Sequence, residues 1–324
     1  MFLTIASWNI AGASILTVSE AIREEKHNLY NTQINALIKK SNPDIILLQE
    51  VVRYETKSGT VREIIDCPED YYYLASTTID TIKNAYPPKW NQIRRKGQWR
   101  KDTYIGVGLG ILWKKNIKHS SLWSTKLKHL KTGPQLEKEE VRIETGLFTG
   151  NRDTEPRMAV VSHFNILKHD FYIINLHLTT LKGEREGFPE KDLQGSIIRQ
   201  EQVNTVLNGI VSRLNHDQHQ LTNHFKKKQQ PGIWIIGGDF NATSESPEIT
   251  KIQQMNFTRL CNDAPTKRSK KSIKPIIKVD YFFAGPCHYA FDPNILSQNK
   301  KNYSIDYELN ISDHYPIIAR FPVD

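Results

Sequence analysis

Hydrophobic residues fall in short runs along the chain: Phe2 to Trp8, Ile45 to Leu48, Tyr71 to Leu74, Leu109 to Trp113, Met158 to Phe164, Phe171 to Leu178, Ile233 to Ile236, Ile276 to Phe283 and Ile317 to Phe321. They are rich in Ile, Val, Leu and aromatics, and they predict buried strands. Two longer stretches show helical spacing. Ser19 to Lys40 brings Ala21, Ile22, Leu29, Ile34, Leu37 and Ile38 toward one face and is closed by Pro43. Gly195 to Leu214 does the same with Ile197, Ile198, Val203, Val206, Leu207, Ile210 and Val211. A shorter helix is predicted after Ser246-Pro247, where Ser caps and Pro occupies the first turn.

Several runs end in polar groups: Ser7-Trp8-Asn9, Leu48-Gln49-Glu50, Asn175-Leu176-His177 and Gly237-Gly238-Asp239-Phe240-Asn241, with Ile311-Ser312-Asp313-His314-Tyr315-Pro316 leading into the last strand. Strand ends are where α/β proteins build sites, because a sheet holds side chains rigidly while loops admit substrate. These segments span both ends and the middle of the chain. The expectation is therefore one domain, residues 1–324, with inserted basic loops at about 86–105, 114–140, 181–195, 215–232 and 264–275.

Composition narrows the class. Hydrophobic residues make up 38% of the 324 and charged residues 24%, as in a soluble globular protein. No apolar run approaches the ~20 residues of a membrane span. The first strand starts at Phe2 and carries Asn9, so it does not read as a cleaved signal segment, and a cytoplasmic protein is expected. Cys67, Cys261 and Cys287 have neither disulfide-framework nor zinc-ligand spacing. A net charge of +9 suits a polyanionic partner, nucleic acid or an anionic membrane surface.

Each polar group has a chemical and a plain reading. Glu50 ends a buried strand; it is either a surface carboxylate or a ligand that would share a hard cation with Asn9 and Asp313. Asp239 and Asn241, two apart, either form an Asx turn or project together, one to accept a proton from water and one to donate to a phosphoryl oxygen. His177 lies on the opposite face from Leu176 and Leu178, as a core histidine or a site residue. Asp280, an acid in an apolar strand, needs a partner. His314 is the candidate, since an Asp-His hydrogen bond fixes the tautomer and favours the imidazolium. Arg157 reads as a phosphate fork or a surface ion pair.

The set Asn9, Gln49-Glu50, His177, Gly238-Asp239-Phe240-Asn241, Asp280 and Ser312-Asp313-His314 resembles the endonuclease/exonuclease/phosphatase superfamily, in order and across nearly the whole chain. His177 and the Ile311 to Pro316 segment resemble the deoxyribonuclease I branch. The resemblance implies an α/β fold, a four-layer α-β-β-α sandwich of two packed mixed β-sheets flanked by helices. It implies a metal-dependent phosphodiesterase with Mg2+, or Mn2+ as substitute, on Glu50, Asn9 and Asp313. Asp239 would activate water, Asn241 and Arg157 would hold phosphoryl oxygens, and Asp280 would orient His314. His314 and His177 would then stabilise the transition state or protonate the leaving oxygen. Where that branch carries Arg directly after its Glu-Val, this chain has Val52 and then Arg53.

The basic segment from Trp90 to Lys101, with Arg94, Arg95 and Trp99, could track phosphates and stack on bases, or be solvated. Lys267-Arg268-Ser269-Lys270-Lys271 reads as a solvated run. The expected activity is a nuclease, with DNA favoured over RNA, acting as a monomer without a protein partner. The alternatives are a phospholipid or inositol-phosphate phosphoesterase and a non-catalytic nucleic-acid-binding module.

Overall fold

The apolar runs assemble into two seven-stranded sheets in the computed structural model, which describes residues 2–77, 105–119, 138–142, 158–166, 169–180, 193–212, 232–260, 262–268, 275–285 and 302–323. The first sheet contains β1 (Phe2–Asn9), β2 (Ile45–Glu55), β3 (Val61–Glu63), β4 (Tyr71–Thr77) and β5 (Ile105–Lys114), together with two C-terminal strands. The second contains β6 (Lys118–His119), β7 (Lys138–Arg142), β8 (Met158–Ile166), β9 (His169–His177), β10 (Ile233–Asp239) and β11 (Thr258–Arg259). β12 (Lys267–Arg268) and β13 (Pro275–Ile277) form a separate ribbon, β14 (Asp280–Gly285) joins the second sheet, and β15 (Tyr303–Ile305) and β16 (Ile317–Pro322) complete the first.

The two sheets share one pairing scheme. In the first the order is β16-β1-β2-β5, and in the second β14-β10-β9-β8, each a central parallel pair flanked by antiparallel neighbours. A parallel pair needs a long crossover, and a helix supplies each one. Helix α1 (Glu20–Ser41) links β1 to β2, and α2 (Leu193–Asn204) with a following π-helical segment (Thr205–Ser212) lies between β9 and β10. A third helix, α3 (Pro247–Gln254), follows Ser246.

Alternation along the central strands decides which side chains meet between the sheets. Leu3, Ile5, Ile45, Leu47, Phe171, Ile173, Ile233, Ile235, Phe282 and Ala284 form the inter-sheet core, whereas Trp8, Ile46 and Leu48 pack under α1 and Tyr172, Ile174, Trp234 and Ile236 under α2. Continued along the same faces, the inward positions turn polar at one end of the sandwich: Ser7 and Asn9, Gln49, Asn175 and His177, Asp239, and Asp280. All are buried. One layer of this polar end ties the sheets together. Gln49 Nε2 donates to Ser7 Oγ (3.2 Å) and Asn175 Oδ1 (2.8 Å), while Asn175 Nδ2 donates to the Leu48 and Gly110 carbonyls (3.0 and 2.9 Å). Removing one member of a buried network strands the others. Asn175→Ala is expected to cost about 3 kcal/mol of unfolding free energy, read as a lower urea midpoint with unchanged slope.

Several elements differ from the sequence expectation. The run Ile276 to Phe283 is two strands, because Pro275–Ile277 pairs with β12 while Asp280 opens β14 at its polar end. The buried face of α1 is Arg23, His27, Tyr30, Ile34 and Leu37, whereas Ile22 and Leu29 are half exposed. Polar residues serve in its first half because each finds a partner: Arg23 Nε donates to the Val18 carbonyl (3.2 Å), Arg62 of β3 to His27 Nδ1 (3.2 Å) and the Tyr30 hydroxyl to the Ala11 carbonyl (3.3 Å). The second long helix passes into π geometry from Thr205, and Ile197, expected on its buried face, is exposed while Ile198, Val203, Val206, Leu207 and Val211 are buried.

Candidate active site

Three neighbouring strand ends carry the centre of the site. In the ladder His177 lies opposite Asp239, and Asp239 opposite Asp280, so β9, β10 and β14 place two acids and an imidazole in one row facing the other sheet. His314 reaches the row from the turn before β16. Its backbone N–H donates to Ser312 Oγ (3.1 Å), and the Trp8 indole donates to its carbonyl (3.0 Å), so a residue from the first strand fixes the last turn. His314 Nδ1 donates to both oxygens of Asp280 (2.9 and 3.1 Å). Its Nε2 faces Asp239 Oδ2 at 3.5 Å, the same distance that separates His177 Nε2 from that oxygen.

Asp239 is the hub. Asn9 Nδ2 donates to its Oδ2 at 2.9 Å and also lies 3.3 Å from Glu50 Oε1, joining the two acids across the gap between sheets. Asp239 Oδ1 accepts the Asn241 backbone N–H at 2.8 Å, which is the Asx turn that Asp-Phe-Asn favours. Asn241 itself has φ 47°, and its side-chain amide donates to the Leu178 carbonyl (3.0 Å). Thus the turn and the shared location of Asp239 and Asn241 are compatible readings of one segment.

Glu50 sits on a β-bulge with φ 56°, and β2 continues beyond it to Glu55 instead of ending there. A bulge re-aims a side chain, here by inserting Glu50 between Gln49 and Val51 in the pairing with β5. Asp313 is partly exposed at the mouth, with the Lys267 ammonium 4.0 Å from its Oδ2. Arg53, which follows Val52, is engaged with Glu63 (Nε to Oε1 2.7 Å). Arg94, Arg95, Trp99 and Arg157 lie outside the described residues.

Electrostatics divide the site. Burial alone would push the His314 imidazolium down, but the charge of Asp280, supported by Asp239, outweighs it and raises the pKa to about 9. The Asp239 carboxyl is raised, chiefly by burial, with His314 opposing. Asp239, Asp280 and His314 bring ligand atoms within 4.8 Å of one another. A charged imidazole that donates to Asp280 offers no lone pair there, so a divalent ion fits the Glu50 side better. That side has the hard carboxylate oxygens such an ion takes, those of Glu50 and Asp313, whereas Asn9 turns its Nδ2 toward Glu50 and its oxygen to the Ala11 N–H (3.0 Å) and would have to exchange its amide ends to join them.

Lys267 is the residue that a linear reading hides. It is only 9% exposed and bridges His314 in an isolated backbone pairing, whereas its place in a lysine-arginine run suggested solvent. Nothing in the run distinguishes it from its neighbours. The inter-sheet tie of Ser7, Gln49 and Asn175 could have been found by extending the inward alternation past the apolar part of each strand.

A four-layer sandwich whose inter-sheet core opens at one end into carboxylates and a buried imidazolium has the build of a phosphoesterase. The chain belongs to the Endonuclease/Exonuclease/phosphatase family, whose model matches residues 6–314, and members of that family are phosphoesterase hydrolases, typically dependent on a divalent metal. Solved structures share the fold at low identity. A family protein from Bacteroides thetaiotaomicron is 13% identical with a TM-score of 0.55, covering 99% of this chain and 97% of that one. D. rerio TDP2 complexed with a single-strand DNA product is 14% identical with a TM-score of 0.51, covering 99% of both chains. ANGEL2, described as a 2′,3′-cyclic phosphatase, is 14% identical with a TM-score of 0.54, covering 99% of this chain and 95% of that one. No curated protein matches the sequence. Among the described residues no helix is long and apolar enough to cross a membrane.

Proposed function

We propose that the protein is a Mg2+-dependent phosphodiesterase acting as a nuclease, with DNA favoured over RNA. The observation that carries the reading is the buried Asp280–His314 pair set against Asp239, beside the carboxylates of Glu50 and Asp313, with Asn9 bridging Glu50 and Asp239. Phosphodiester cleavage needs a base for water, charge stabilisation on the phosphoryl oxygens and an acid for the departing oxygen. Bound Mg2+ supplies charge neutralisation at the phosphoryl oxygens.

Asp239 takes the proton of the attacking water, and its upward-shifted carboxyl suits that task. As the new P–O bond forms and the ester P–O bond breaks, His314 gives its Nε2 proton to the leaving oxygen while Asp280 holds Nδ1–H. His177 is the second donor on the same side, and Asn241 offers its remaining amide hydrogen to a phosphoryl oxygen. The +9 charge supports a polyanionic substrate, and the DNA-product complex of D. rerio TDP2 supports nucleic acid.

Purified protein is expected to nick supercoiled plasmid or cut labelled oligonucleotides with Mg2+, and to stop in EDTA. A panel of single-stranded, duplex, abasic and RNA substrates then sets the polymer. Turnover of phospholipid or inositol phosphate with none on any nucleic acid would overturn the nuclease reading. Tight nucleic-acid binding without turnover under any divalent ion would replace it with a binding module.

A further inference from the structure

The Lys267 ammonium is held inside the site by the backbone that holds the acid and base. Thr266 Oγ1 accepts the N–H groups of Val279 and Asp280 (3.1 Å each), and the Thr266 carbonyl accepts the Tyr315 N–H (2.8 Å). On the other side of Lys267, the Arg268 N–H donates to the Asp313 carbonyl (2.8 Å). The backbone on both sides of Lys267 is thus tied to Asp280, Asp313 and Tyr315, and Lys267 itself pairs with His314. Its side chain keeps only 11% of its surface exposed, yet its distance of 4.0 Å from Asp313 Oδ2 is at the limit of an ion pair. Its charge acts on both Asp239 and His314.

An ammonium carries three donors, so one set beside Asp313 can keep its present neighbours and still turn a hydrogen toward an anion entering the site. The reacting phosphodiester is such an anion, its charge carried on two non-bridging oxygens and rising there as the attacking oxygen adds. Lys267 stands beside His314 in the backbone pairing and beside Asp313 Oδ2 through its ammonium, so an anion it holds would lie between those two residues. We propose that Lys267 is a phosphoryl-oxygen contact of this site, supplying a fixed cation on the side between His314 and Asp313. The proposal rests on the phosphoesterase reading of the site and is independent of whether the ester belongs to a nucleic acid.

The test compares Lys267→Met, which keeps the buried alkyl stem and removes only the charge, with Lys267→Arg and with Arg268→Ala as a neighbouring control, all in the full chain. Inorganic phosphate binding to the Mg2+-loaded protein is followed by calorimetry, and Mn2+ affinity by electron paramagnetic resonance. Lys267→Met should weaken phosphate at least about 10-fold and lower kcat/KM about 100-fold on any ester the protein turns over. Its Mn2+ affinity should hold or tighten, because a cation has been removed from beside Asp313. Lys267→Arg should recover part of the phosphate affinity, and Arg268→Ala should stay within about twofold of the parent for phosphate, since a partly exposed cation contributes little.

Phosphate affinity unchanged in folded Lys267→Met would overturn the assignment. So would Mn2+ affinity falling in parallel with phosphate, since Lys267 would then act through Asp313, and so would a parent protein that binds no inorganic phosphate at millimolar concentration. A Lys267→Met that does not fold leaves the decision to Lys267→Arg, whose phosphate affinity must then differ from the parent while its Mn2+ affinity does not. If the parent cuts no nucleic acid but phosphate binding follows the expected order, the nuclease reading fails and the Lys267 assignment stands.

Discussion

Replacing His314 with alanine is expected to lower turnover by about 10³- to 10⁴-fold, the range that a positioned acid and transition-state donor supply together. The proton on His314 is maintained by Asp280 at 2.9 Å, and His177, whose Nε2 lies 3.5 Å from Asp239, keeps the role of second donor. Asp280→Asn should give a smaller loss with a distinctive pH signature. With a His314 pKa of about 9, kcat/KM of the parent should hold through neutrality and fall above about pH 9. Without the Asp280 charge that limb should move toward lower pH. The same shift has a stability sign. His314 keeps a proton in the folded protein that the unfolded chain releases near pH 6.5, so its contribution is fully present below that value and is lost as pH rises to about 9. The change is on the order of 3 kcal/mol and should appear as a falling melting temperature in EDTA between those limits. A His314→Ala protein within tenfold of the parent, or an alkaline limb unmoved in Asp280→Asn, would remove His314 from the acid role.

How far the sequence reveals this site depends on the period of the element that carries each residue. His177 was separable from Leu176 and Leu178 by alternation alone, and the structure places it on the inward face while both leucines pack under α2. Asp239 is legible in the same way, two residues beyond Gly237 and four beyond Ile235 on one face. Asp280 reads in the sequence as part of a single apolar run, because the period of Ile276 to Phe283 gives no sign that two strands of different sheets meet at Lys278-Val279. Glu50 was expected at a strand end, but β2 continues beyond it; the bulge depends on pairing with β5, residues distant in sequence. α1 is opaque for another reason: a polar buried face has no hydrophobic period, and His27 and Tyr30 are buried against partners distant in sequence, Arg62 and Ala11. Lys267 shows the limit most clearly. A lysine in a basic run is indistinguishable from a solvated one until His314 is paired beside it.

Gly238→Ala is expected to cost more than about 4 kcal/mol and to leave little folded protein, the largest stability effect foreseen for a single methyl group in this chain. Gly238 has φ +144°, a region that L side chains rarely adopt, and its place in the ladder is opposite Leu176. A Cβ there would lie 2.0 Å from the Leu176 carbonyl oxygen and 3.0 Å from its carbon. The obstacle is backbone in a central parallel pair, so relief requires β9 and β10 to separate beside the rung that holds His177 opposite Asp239. Its neighbour provides the contrast. A Cβ on Gly237 meets Phe282 and Leu47 side-chain atoms at 2.6 to 2.9 Å, and side chains can repack where a paired strand cannot. Gly237→Ala should therefore cost only about 1–3 kcal/mol, the range for overpacking a core. Urea titrations followed by circular dichroism separate the two, and equal midpoints would contradict the distinction. Because Asp239 follows directly, any Gly238→Ala protein that does fold should also lose turnover, whereas Gly237→Ala should retain most of it: its strain falls on the inter-sheet core, and the hydrogen bonds of Asp239 to Asn9 and Asn241 are left in place.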